Sequence, residues 1–145
     1  MKNRRAENRR DRVLEPGLDG RPGKAGTSSR SASQASATDP LERGLELIRA
    51  GEFFAAHEEL EDAWRAAEPP ERDFLQGLVH VAVAWYQAGR GNRVGCERQL
   101  EKARRRLTPY AAAHRGVDID ALLRQLEAAS VTVAKGSLEL ARPSL

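Results

Sequence analysis

The chain has 145 residues, 40% of them hydrophobic, 31% charged and only 5% aromatic, with one cysteine and a formal net charge of +3. That length makes one domain the default, the lone Cys96 excludes an internal disulfide and any cysteine-cluster zinc site, and no run approaches the roughly 18 apolar residues of a membrane span. The positive charge is confined to one end: residues 1–38 carry nine basic and four acidic side chains, residues 39–145 fifteen and seventeen.

Residues 1–38 contain Gly17, Gly20, Pro22, Gly23 and Gly26, then the polar run Thr27 to Ser33, with few large apolar side chains. Such a segment cannot bury enough surface to offset its ordering entropy, and a disordered basic tail is expected. Arg4, Arg5, Arg9, Arg10 and Arg12 offer nonspecific charge to a nucleic acid. No aromatic residue is interleaved to stack bases, so a solvated extension is the simpler reading. No apolar stretch follows the basic start, so no secretory signal is expected and a cytoplasmic protein is.

Order is expected from Asp39-Pro40, where Asp39 suits an N-cap, Pro40 the first helical position and Glu42 the reciprocal position of a capping box. Leu41, Leu45 and Ile48 recur at helical spacing until Gly51, a C-terminal glycine. A second helix runs from Glu52 to about Ala67, with an apolar stripe of Phe53, Leu60 and Trp64 interrupted by His57, and Pro69-Pro70 is expected to stop it. The third, about Glu71 to Ala88, is apolar on nearly all sides and belongs at the centre of a bundle. Gly77 inside it costs about 1 kcal/mol against alanine, which implies close approach of a neighbouring helix.

Gly89, Gly91 and Asn92 form the next turn, with Asn92 as cap. A fourth helix follows to about Thr108, placing Val94, Cys96, Leu100, Ala103 and Leu107 inward. Asp118 caps a short fifth helix bearing Ile119, Leu122, Leu123 and Leu126. Residues 131–145 show no clear pattern. Gly51 through Pro69 aligns with Gly91 through Pro109 at an offset of 40 without gaps, which suggests two tandem helical hairpins. The expectation is therefore all-α: a compact bundle of about five helices over residues 39–130, a tail before it and a C-terminal extension, 131–145, after it.

Charge is segregated inside the bundle too. Residues 39–73 hold four basic and eleven acidic side chains, residues 90–124 nine and four. These segments either pair across the fold or leave faces of opposite sign, which can guide association with another copy or a protein partner.

The candidate site is centred on the second helix. His57, Glu58, Glu61, Trp64 and Arg65 lie there, joined from the third helix by Gln76, Gly77 and His80. An imidazole and carboxylates beside aromatic side chains are more polar than a packing face needs. Three readings compete. His57 and Glu61, four apart on one face, could hold a metal with His80 or Gln76. His57 oriented by Glu58 or Glu61 could act as a base, although no nucleophile accompanies it. Alternatively the polar groups satisfy one another and set helix register. Neither a resident metal nor a cofactor is expected.

The pattern Gly51-Glu52-Phe53-Phe54-x-Ala56-His57-Glu58-x-x-Glu61-x-x-Trp64-Arg65, followed by Phe74-Leu75-Gln76-Gly77-Leu78, resembles the bacterial and archaeal domain of unknown function 309 family. Gly91-Asn92-x-x-Gly95 and Gly116-Val117-Asp118 extend the resemblance over about residues 41–126. It implies an all-helical fold of about five helices and no established activity. Members often have histidine directly after the tyrosine equivalent to Tyr86, where this chain has Gln87. Taken together, the sequence favours a non-enzymatic interaction or ligand-binding module, with a metal-dependent hydrolase as the alternative.

Overall fold

The computed structural model describes residues 39–145; the expected tail, with Arg4, Arg5, Arg9, Arg10 and Arg12, lies outside the described residues. The described chain is helical in five places. These are α1 (Pro40–Ala50), α2 (Phe53–Ala66), α3 (Pro69–Gly89), α4 (Arg93–Leu107) and α5 (Ile119–Ala134). A single 3-10 turn (Thr108–Tyr110) and a two-stranded antiparallel hairpin, β1 (Ala113–His114) and β2 (Val117–Asp118), separate α4 from α5. The all-α bundle of five helices is as expected.

The 40-residue repeat is visible in the backbone. After α1, Gly51 adopts φ +82°, and after α3, Gly91 adopts φ +78°. Each left-handed glycine lets two amides turn back onto the helix it ends. Gly51 N–H donates to Ile48 O (3.0 Å) and Glu52 N–H to Leu47 O (2.9 Å); Gly91 N–H donates to Ala88 O (3.0 Å) and Asn92 N–H to Gln87 O (2.9 Å). This paired closure is the Schellman arrangement, which glycine adopts without a Cβ clash. The next helices then start forty residues apart, at Phe53 and Arg93. Their inward positions correspond as well: Ala56 and Cys96 are fully buried, as are Leu60 and Leu100.

The third helix is the hub. Phe74, Leu78, Val81 and Trp85 are buried along one row and Leu75, Val79 and Ala82 along another. At about 1.5–3 kcal/mol per fully buried large side chain, this helix supplies much of the hydrophobic driving force. α2 ends at Ala66, ahead of Pro69-Pro70 as expected, and the two prolines form the first turn of α3, where a missing N–H removes no helical bond. Glu68 before it is extended, the conformation a following proline favours. A Cβ at Gly77 would lie 2.6 Å from Leu107 Cγ, so the glycine does allow α4 to approach closely.

Two expectations change. Val94, expected inward, is 56% exposed: it stands at the second position of α4, before the helix reaches the core at Cys96. The fifth helix is sixteen residues long rather than short, because Ala129 and Val133 continue the buried face of Ile119, Leu122 and Leu126. Beyond it the chain folds back. Trp85 Nε1–H donates to Ala141 O (3.0 Å), and the Gln125 amide both accepts from Ser144 N–H (2.7 Å) and donates to Ser144 O (2.9 Å). Arg142 Nη1 reaches Arg49 O of α1 at 2.9 Å.

Candidate functional site

The α2 residues singled out in the sequence form a row held largely by their own helix. His57 Nδ1 lies 2.7 Å from Phe54 O. A carbonyl only accepts, so Nδ1 carries the proton and neutral His57 presents a bare Nε2. That nitrogen is 3.9 Å from Glu61 Oε1, beyond hydrogen-bond length. Glu61 Oε1 in turn lies 3.6 Å from Arg65 Nη2, while Arg65 Nη1 donates to Asp62 Oδ1 at 3.0 Å. The His57 side chain is 20% exposed and the Arg65 side chain 61%, so the row is open to water at its Arg65 end. Glu58 is exposed.

The third-helix members go elsewhere. His80 Nδ1 is 2.7 Å from Gln99 Oε1 of α4, which places this imidazole against the basic helix. Burial holds its pKa below the ordinary histidine value; the Gln99 bond opposes that shift, and Lys102, Arg106 and Arg105 add to it. Gln76 is half-buried and Gly77 is buried under Leu107. Trp64 packs against the core, and the Arg72 guanidinium stands 4.5 Å from its ring centroid. That cation–π contact, joined by Arg72 Nη1 donating to Trp64 O at 3.4 Å, ties the end of α2 to the start of α3. Gln87 Oε1 accepts from Asn92 Nδ2 at 3.0 Å, so it braces the turn before α4.

Two groupings escaped the sequence. Phe54, 50% exposed, sits with its ring centroid 4.9 Å from His57 and 5.3 Å from Tyr86. The Arg90 guanidinium also stands over the Tyr86 ring, 5.6 Å from its centroid. An aromatic patch therefore crosses from α2 to the end of α3. Its one sequence signal is that Phe54 and Val94 are equivalent in the repeat, so both lie outside the buried register.

The second grouping closes the opposite end of α3. His114 Nε2 donates to Glu71 Oε1 at 2.8 Å and Arg115 Nε to the same oxygen at 3.1 Å. The His114 hydrogen bond is the main cause of a Glu71 pKa below the usual carboxylate range; desolvation opposes it and the charges of His114 and Arg115 reinforce it. The His114 ring lies edge-on to buried Phe74, with centroids 4.6 Å apart, and 4.8 Å from Tyr110. Tyr110 Oη donates to Pro70 O at 2.8 Å. The hairpin turns at Arg115 and Gly116, both at positive φ, the type I′ geometry of a two-residue loop. Asp118 then caps α5 by accepting from Ala121 N–H at 2.9 Å.

Among the described residues, no group of three or more His, Cys, Asp or Glu side chains is placed to hold a metal ion. No described helix is long and apolar enough to cross a membrane. Burial and the adjacent Glu97 push the Cys96 thiol up to about 11, which makes it core rather than a nucleophile.

No curated protein and no solved structure matches the chain. The sequence model of the family described as Domain of unknown function (DUF309) matches residues 41–99. The match spans α1, α2, α3 and the first half of α4, and it is to the same family that the His57 motif resembles.

Proposed function

We propose that this small helical domain is a non-enzymatic, cytoplasmic interaction module that docks a partner on the outer side of α2. The observation that carries the reading is the half-exposed Phe54, standing against His57 and Tyr86 and bordered by Glu58 and Arg90. A lone exposed apolar side chain is ordinary. An aromatic pair beside arginine is the composition concentrated in protein interfaces, where a few such anchors carry most of the affinity. Tyr86 is held by Phe54 and Arg90 before any partner arrives, which lowers the ordering cost of binding.

A photo-reactive amino acid placed at Phe54, with a control at exposed Lys135, tests this in cells. A discrete cross-linked species from position 54 alone supports the reading. Identical products from both positions sink it.

One geometric feature favours the metal-dependent alternative. Donation of Nδ1–H to a backbone carbonyl fixes the tautomer that leaves Nε2 free to ligate, as outer-shell partners of ligating histidines do. His57 and Glu61 would supply two ligands, with water or a partner completing the set. Metal content after purification without chelator, together with thermal shifts on adding zinc, manganese or iron, decides it. Absence of both removes this alternative.

A further inference from the structure

The two hairpins present equivalent outer positions of opposite charge. At the 40-residue offset, Phe54 corresponds to Val94, Glu58 to Arg98 and Asp62 to Lys102, and all six are exposed. Each trio follows i, i+4, i+8 spacing and runs along one side of its helix. Phe54 and Val94 are two of the three exposed large hydrophobics among the described residues, and each heads a stripe, acidic on α2 and basic on α4. Glu58, Arg98 and Lys102 have no ion-pair partner among the described residues; Asp62 is shared with Arg65 of its own helix. The arginines of α4 that are paired are engaged elsewhere, Arg93 with Glu97 of its own helix, Arg104 with Glu127 of α5 and Arg106 with Asp73 of α3.

We propose that these stripes are the two halves of one interface, through which α2 of one copy docks on α4 of a second copy of this chain. Aligned in register, the helices set Phe54 on Val94, Glu58 against Arg98 and Asp62 against Lys102. The flanking rows, Glu61 with Arg65 and Glu101 with Arg105, carry both signs on each helix and pair diagonally. One chain supplies both complementary faces, so a second copy satisfies the pattern without any further partner chemistry. Exposed pairs are individually weak and screened by salt. The association is therefore reversible and salt-dependent, with the apolar pair supplying the part that salt does not remove. The inference rests on the interaction reading above and names its partner.

The test is sedimentation of the full-length chain at low and high salt, with charge-reversed variants. Self-association at low salt that weakens at high salt is expected. Glu58→Lys with Asp62→Lys, and separately Arg98→Glu with Lys102→Glu, each lose it by roughly tenfold or more, since every replaced pair becomes repulsive. Mixing the two variants restores pairing, because one then carries two basic stripes and the other two acidic ones. Arg124→Glu with Lys135→Glu makes the same charge change on and just beyond α5 and is the control; it keeps both stripes and is expected to self-associate like the unaltered chain.

A chain that stays monomeric at low salt overturns the proposal. So does a loss of self-association in the control as large as in the second variant, because net charge rather than the α4 stripe is then responsible. Loss of association on reversing Glu58 and Asp62 but not Arg98 and Lys102 also overturns it, because α2 is then meeting basic residues outside α4. A monomeric chain that still gives a discrete cross-link to another protein from position 54 overturns the second-copy inference alone. The interaction reading then stands.

Discussion

His57 and His114 lie toward opposite ends of α3 and meet their carboxylates in opposite ways. His57 has its carboxylate one helical turn away at 3.9 Å, and its other ring nitrogen is tied to its own helix. His114 reaches Glu71, forty-three residues back in the chain, at 2.8 Å, and leans on a ring that is fully buried. Contacts within one helix add little, because the helix would form without them. A contact that closes a long loop holds elements in place that nothing local would hold. The motif that stands out in the sequence is therefore the looser of the two and the freer to meet a partner, while the inconspicuous one is a clasp.

The aromatic partners separate the two ends most strongly. Phe74→Ala removes a fully buried ring from beneath His114 and Tyr110 and is expected to cost about 3–5 kcal/mol in urea unfolding. Phe54→Ala, at a half-exposed position, is expected to stay within about 0.5 kcal/mol. Equal losses would end the distinction. The carboxylates come next. Glu71→Ala leaves His114 and Arg115 without their acceptor and is expected to cost about 1–2 kcal/mol, reduced by partial exposure. Glu61→Ala, whose contacts are 3.6 and 3.9 Å, is expected to cost less than about 0.5 kcal/mol.

Acidification gives the smaller effects and divides into two windows. Glu71 has a lowered folded pKa, so its contribution is present above the ordinary carboxylate value and is lost as pH falls through the lowered one. Glu71→Gln should flatten the stability profile there, below about pH 4.3. His80 is also lowered, here because burial disfavours the imidazolium. The folded chain then binds fewer protons than the unfolded one, and stability declines as pH drops below about 6.5 toward the folded value. His80→Gln, which keeps an amide beside Gln99, should remove that decline. A profile unchanged by either substitution would show that neither group is linked to folding.

Much of this was readable from residue order. The apolar periodicity of Leu41, Leu45 and Ile48 and the all-round apolar third helix anticipate their burial; Gly51 and Gly91 mark turns that require positive φ. Asn92 and Asp118 read as caps and act as caps. Val94 points outward because it stands outside the register of Cys96, Leu100, Ala103 and Leu107, which alone sets the buried face of α4. The continuation of α5 is faint in the sequence because Ala129 and Val133, which keep the spacing of Ile119, Leu122 and Leu126, stand among Ala128, Ser130 and Thr132, which dilute the apolar stripe. His114 carries no local signal because its partners, Glu71 and Phe74, lie about forty residues away.

What residue order determined alone is what arises within one or two helical turns: where helices start and stop, which stripe of each is apolar, and that two hairpins repeat at forty residues. The tertiary structure decided which polar side chains meet. It drew His80 to Gln99 rather than to His57, joined Glu71 to His114, and set Phe54 against Tyr86. Periodicity fixes a side chain's direction around its own helix axis, whereas its partner depends on how neighbouring helices are rotated and spaced, and that is settled only when the whole core packs.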